Sequence, residues 1–199
     1  MENERTMLYK QNPERYKTSL RKVSPRFTTR DGRKVKLRLM RPSDVPLMIE
    51  FFHRMSPETR RHRFHTGLEN ISDEVLQQRA EELAAVDNAA QAGAVVALYE
   101  EADGPHIVGT VRLAREPGRP GSAEAEAAIV VRDDFQGQGL GTELMRRLVL
   151  LAKQMEVQTI VAIFEADNEG AIRLFRELNL PYTTSIDHGS TIMKLQMPA

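Results

Sequence analysis

Three groups of residues in this chain of 199 have types and spacings that could do chemistry. The first is Val130-Val131-Arg132-Asp133-Asp134-Phe135-Gln136-Gly137-Gln138-Gly139-Leu140-Gly141-Thr142, in which an apolar run meets a glycine-rich turn and then a helical pattern. Glycine reaches positive φ and lets backbone approach a ligand closely. The first N–H groups of a helix lack internal partners and point outward. Together they make an anion site suited to a pyrophosphate. The motif is not a P-loop, because Gly141 is followed by Thr142 and no lysine. Nor is it a dinucleotide fingerprint, because the third glycine falls one residue early. Tight strand-to-helix packing is the other use such glycines have. The second group is Glu124 and Glu126, two apart and on one face if their strand is regular. Two carboxylates so placed can raise one pKa, which suits a base working near neutral pH. The third is Arg60-Arg61-His62-Arg63 with His65. His62 and His65 could share a helical face as metal ligands, but no third ligand follows at a recognisable spacing. A solvated basic patch is expected there, with an acidic partner or phosphate as its alternative use, and no metal. His53, His106 and His188 are isolated.

These groups need elements to hold them. Asp31-Gly32 is a hairpin signal between residues 26–29 and 34–40, where Val35, Leu37 and Leu39 alternate with polar residues. A helix is expected from the Arg41-Pro42-Ser43-Asp44 punctuation to about Met55. A short helix should follow, with Ser56 as N-cap and Pro57 at its first position, and a third should span 72–84. Residues 95–99, 107–113 and 123–131 read as strands, with turns at Gly104-Pro105 and across 117–121. Leu140, Leu144, Leu148, Leu151 and Met155 line one side of a helix over 139–154. Residues 159–164 form a buried-type strand. Asn168 caps a helix whose Ala171, Leu174, Phe175 and Leu178 fall on one stripe, ended by Pro181. A final hairpin turns at His188-Gly189. Residues 1–30 are set apart as a basic N-terminal arm, and 31–199 as one domain.

Composition narrows the classes. Lys plus Arg and Asp plus Glu number 28 each, so the formal net charge is zero. That argues against nucleic acid as a partner. With no cysteine there is no thiol nucleophile, disulfide or thiolate metal site. The N-terminus lacks the apolar core of a signal peptide, and no apolar run reaches membrane-spanning length. A cytoplasmic protein with no membrane partner is expected.

Gln136-x-x-Gly139-x-Gly141 resembles the Gln/Arg-x-x-Gly-x-Gly/Ala signature of the GNAT superfamily of N-acyltransferases. Asn168-Glu169-Gly170-Ala171-Ile172-Arg173-Leu174-Phe175 is similar to that family's Asn-x-x-Ala-x-x-Leu-Tyr helix. More narrowly, Arg41-Pro42-Ser43-Asp44, Ser56-Pro57-Glu58-Thr59-Arg60, Arg63-Phe64, Ala125-Glu126 and Asp167-Asn168 resemble the catalytic domain of bacterial Pat-type protein lysine acetyltransferases. The resemblance implies an α/β fold with a mixed, mainly antiparallel sheet and helices on both faces. It implies acetyl-CoA as co-substrate, entering where strand 123–131 diverges from strand 159–164. Its binding residues would be Val130, Val131, Gln136, Gly137, Gln138, Gly139, Leu140, Gly141, Thr142 and Asn168. The acceptor implied is a primary amine, a lysine on another protein such as an acyl-CoA synthetase. A lysine is an ammonium at neutral pH, so a base must take its proton. Glu126 aligns with the glutamate assigned that role in Pat-type enzymes. Phe175 departs from the tyrosine that protonates the departing thiolate in many GNAT enzymes. A small-molecule amine acceptor, or an acyl-CoA-binding sensor without chemistry, are the alternative readings. Pat-type chains often carry a cyclic-nucleotide-binding or synthetase-like domain, and these 199 residues leave room for neither.

Overall fold

The computed structural model describes residues 23–64, 71–119, 121–165 and 167–198. Among these residues eight strands form one sheet in the order β1-β2-β3-β4-β5-β6-β8-β7. The strands are β1 (Arg26–Thr28), β2 (Lys34–Leu39), β3 (Ala92–Glu101), β4 (Gly104–Ala114), β5 (Glu124–Val131), β6 (Thr159–Glu165), β7 (Tyr182–Asp187) and β8 (Ser190–Gln196). Every pairing is antiparallel except β5 with β6. Among the described residues five α-helices accompany them: α1 (Val45–His53), α2 (Pro57–Phe64), α3 (Asp73–Ala84), α4 (Leu140–Gln154) and α5 (Glu169–Arg176). This is the mixed, mainly antiparallel α/β sheet with helices on both faces that the sequence implies.

The burial patterns follow from the layering. Residues 92–98 of β3 are all buried, because helices cover both faces of the central strands. On one face α4 and α5 pack through Leu140, Leu144, Leu148 and Phe175. On the other, α1 and α3 pack through Met48, Phe51, Phe52, Leu76 and Ala80. Two expectations shift in detail. The β3–β4 turn lies at Ala102-Asp103, and Gly104 and Pro105 already pair with Glu101 and Glu100 as the first residues of β4. Helix α5 stops at Arg176, yet Leu178 stays buried beyond it. Residues 26–28 join the sheet through β1. His65 and residues 1–22 lie outside the described residues. Among the described residues no helix is long and apolar enough to cross a membrane.

One topological detail makes the site. Strand β5 pairs with β6 only at Glu124↔Thr159, Ala125↔Ile160 and Glu126↔Val161. On its other edge β5 stays paired with β4 from Glu126 to Val131. The two parallel strands therefore part immediately after Glu126.

Candidate functional site

A cleft of about 710 Å³ occupies the splay between β5 and β6. Ile129, Val130 and Val131 form one wall, and Asp167–Ala171 at the start of α5 form the other. Gly137, Gly139, Gly141 and Thr142 close the end. The loop geometry comes from its glycines. Gly139 sits at φ +85 as the N-cap of α4, with no side-chain cap, so the first N–H groups of the helix are left to a ligand. Gly141 has a different reason to be small: a Cβ there would lie 3.0 Å from Leu174 Cδ1. It lets α4 and α5 approach, so both uses of glycine weighed from the sequence occur in the same loop.

The other expected cofactor residues divide by what their side chains do. Leu140 is fully buried in the core, which leaves only its backbone for a ligand, and neither it nor Gln138 lines the cleft. The Gln138 carbonyl accepts from the Arg30 N–H at 3.1 Å. Gln136 donates through Nε2 to the Val131 carbonyl at 3.0 Å, tying the loop to the end of β5. Thr142 Oγ1 donates to Glu177 at 3.3 Å. Asn168 lines the cleft, and its Oδ1 caps α5 by accepting from the Ala171 N–H at 3.1 Å.

Helix α2 roofs the cleft with Glu58, Thr59, His62 and Arg63. None of its residues is fully buried, and polar contacts help the Phe64 ring, 5.6 Å from that of Phe52, to seat it. The Ser56 hydroxyl and N–H donate to Asp133 at 2.6 and 2.9 Å, and the Thr59 hydroxyl at 2.7 Å. Burial alone would raise the Asp133 carboxyl, but the Ser56 hydroxyl and N–H, then Thr59, outweigh it and hold it below the usual carboxylate range. At the far end Arg61 pairs with Glu165 and, at 2.9 Å, with Asp167. The basic run is therefore not one solvated patch. Arg61 bridges to the β6 side, Arg60 lies over the Phe52 ring at 5.2 Å, and Arg63 turns inward. His62 has Glu165 and Asp167 as neighbours, and single ligand atoms of the three lie within 4.8 Å of one another. Arg61 already neutralises both carboxylates, so the group works as a latch between α2 and the end of β6. Glu101, Asp103 and His106 form a similar cluster, paired with Arg54 and Arg132.

Glu126 stands where β5 and β6 part, exposed, on the strand face that Ala128 and Val130 share. Its field reaches Arg63 and Arg112, raising the proton affinity of both guanidiniums against their burial. Glu124 is instead bound by Lys194 Nζ of β8 at 3.1 Å, so it is not the unbalanced second charge that the sequence reading relied on. Phe175 is fully buried, edge-on to Phe164 with centroids 5.0 Å apart, and does not line the cleft.

Sequence reasoning missed Arg30 and Arg112. Arg30 lines the cleft and holds the glycine loop from outside, donating from Nη1 to the Gly137 carbonyl at 3.1 Å. Its position is set by β1 just before it, while the loop it holds lies more than 100 residues further along the chain, and no local pattern marks it.

Comparison with known proteins places this geometry. Residues 34–180 match the family described as acetyltransferase (GNAT) domain. The chain is 34% identical over 140 residues to the acetyltransferase PA5475 of Pseudomonas aeruginosa, covering 69% of this chain and 70% of that one. It superposes on the GNAT domain of S. lividans PAT with a TM-score of 0.72 at 22% identity, covering 86% of this chain and 95% of that one. A structure of yncA from Salmonella typhimurium with its cofactor acetyl-CoA gives a TM-score of 0.59 at 20% identity, covering 82% and 94%. A cleft at the splay of two parallel strands, closed by a helix start rich in free N–H groups, is the arrangement that this family match explains, and the chain belongs to the GNAT family of acetyltransferases, with acetyl-CoA as its acyl donor.

Proposed function

We propose that this acetyltransferase acts on the ε-amine of a lysine on another protein, by direct transfer with Glu126 as the general base. The observation that carries the reading is the position of Glu126 at the point where β5 and β6 part, beside residues 127–131 of β5, whose β6-side edge is unpaired within the described sheet. The donor supplies a thioester carbonyl when bound. The free N–H groups at the start of α4 meet its pyrophosphate, and Arg30 adds a positive charge beside them. Ile129–Val131 offer an open strand edge along which the rest of the molecule can lie. Glu126 takes a proton from the acceptor ammonium, and the freed amine attacks the thioester carbonyl. The C–N bond forms as the C–S bond breaks; the nitrogen gives up its second proton to solvent, and the departing thiolate takes one from it. A thiol leaves readily, with a reference pKa near 8.5, so a buried Phe175 in place of a donor is compatible with turnover. Without a cysteine there is no thiol to carry a covalent intermediate.

Similarity to S. lividans PAT supports a protein acceptor, as do the open face at Glu126 and the absence of tryptophan from the chain. A small amine is the second reading, favoured by an apolar cavity on the Glu126 side of the sheet. The test is incubation with labelled acetyl-CoA and a lysate of the source organism, followed by mapping of acetyl-lysine. The protein reading expects acetylated lysines above a Glu126→Gln control, an acyl-CoA synthetase among their carriers. Labelling of free amines alone, with no protein above that control, would contradict it.

A further inference from the structure

A second cavity, of about 540 Å³, lies on the opposite side of Val130 from the glycine loop. Its walls are Met48, Phe51, Phe52, Met55, Phe64 and Leu76, contributed by α1, α2, α3 and the chain between α1 and α2. Its polar groups are few and unusual. Thr110 is 5% exposed, and its Oγ1 has no hydrogen-bond partner. Nε of Arg112 is also buried and unpartnered. Arg63 reaches the cavity from α2; burial, then the charge of Arg112, push it down to about 10, with Glu126 opposing. No hydrogen bond or ion pair to the side chain of Arg63 or Arg112 forms among the described residues. At the rim, Glu82 is already paired with Arg79 at 2.9 Å.

Such an arrangement is costly without a ligand. A buried unpaired hydroxyl or guanidinium N–H forfeits its hydration with nothing in return. Two like charges share the site, and Glu126 balances only one of them. An anion with two oxygens would satisfy both guanidiniums, since the guanidinium fork matches a carboxylate. The Met and Phe walls then call for an apolar body attached to that anion, and a cavity of this volume suits a small molecule.

We propose that this cavity is a binding site for a small carboxylate with an apolar body, held by Arg63 and Arg112 with Thr110 as a third donor, an apolar amino acid being the natural fit. The site is separate from the donor cleft, although Arg63 and Val130 line both. It does not depend on which amine the enzyme acetylates.

Calorimetry on the full chain tests it with three probes that share one skeleton: L-leucine, 4-methylpentanoate, which lacks the amine, and leucinol, which lacks the carboxylate. Leucine and 4-methylpentanoate should bind, and leucinol about 10–100-fold more weakly, the range for losing hydrogen bonds to a charged group. Arg112→Met should weaken the two carboxylates by a similar factor while CoA still raises the melting temperature, which shows that the variant folds. Thr110→Val, nearly isosteric, should weaken them less. Equal binding of leucinol, no carboxylate binding at millimolar concentration, or carboxylate binding unchanged in Arg112→Met would each overturn the proposal. Adding acetyl-CoA separates two uses: N-acetylation of leucine marks the site as the acceptor's, and binding without acetylation marks a ligand that is not a substrate. Glu126→Gln should slow acetylation about 10²-fold or more while the carboxylates still bind, at equal or higher affinity because an opposing negative charge is gone, so a failed catalytic assignment and a failed binding site give different results.

Discussion

Glu124 and Glu126 carry the same side chain on the same strand face, and their surroundings give them different work. Glu124 is held by Lys194, while Glu126 stands free at the strand divergence near two guanidiniums. Sequence spacing shows that the two share a face, but the lysine that separates their roles is 70 residues away. Phe175 is the reverse case, legible from its helical stripe with Ala171, Leu174 and Leu178. The structure makes it a core residue edge-on to Phe164. Phe175→Leu should therefore cost about 1–3 kcal/mol of stability by leaving a partial void, with turnover per folded molecule near normal. Thermal unfolding and acetyl transfer measured on one preparation check this. A large loss of turnover at unchanged melting temperature would instead give the ring a part in the chemistry.

Among the elements, α2 has no fully buried residue and yet roofs the cleft. Its hydrogen bonds to Asp133 span 74–77 residues of sequence and those to Glu165 and Asp167 span 104–106. Local signals predict that the helix exists, through the Ser56 cap and Pro57, and say nothing of where it docks. The same division runs through the fold. Helix α4 is legible because five apolar residues recur on one side, and the strands because they alternate or run apolar. The cavity between α1, α3 and the sheet is not legible, since it is assembled from segments with no shared local pattern. Asp133→Asn removes the charge that receives three donors from α2. It should loosen the roof, raising the dissociation constant of CoA several-fold and hydrogen exchange in residues 57–64, with little change in global stability. Because the Asp133 carboxyl is depressed, its contribution is present above an ordinary aspartate pKa near 3.9 and fades as pH falls below that. Unchanged exchange in α2 would show that the helix is held by something other than Asp133.

At the scale of the whole molecule, a charge network joins α1 to the β3–β4 hairpin and to the segment before the glycine loop. His106 and Arg132 are its buried members, and His106 has Nδ1 2.8 Å from Glu50 and Nε2 2.7 Å from Asp103. Asp103 and then Glu50 raise its pKa, against burial and the charge of Arg54. A histidine raised in the folded state stabilises fully below its unfolded value near 6.5, and that contribution is lost as pH rises through the folded value. His106→Gln should thus cost more stability at pH 6 than at pH 9 in urea unfolding. An equal loss at both would mean that packing, not charge, is what His106 supplies. Binding of donor should stabilise the same molecule, by roughly 2.7 kcal/mol at 100 times its dissociation constant. Acetyl transfer by this mechanism turns on one proton transfer to Glu126, so the most direct test is release of CoA thiol from acetyl-CoA with a saturating lysine acceptor, comparing the wild type with Glu126→Gln. Glu126→Gln should keep its donor-induced thermal shift and lose about 10²-fold or more in rate, while Glu124→Gln stays within a few-fold of wild type. Equal, near-normal rates in the two variants would contradict the assignment of Glu126 as the base.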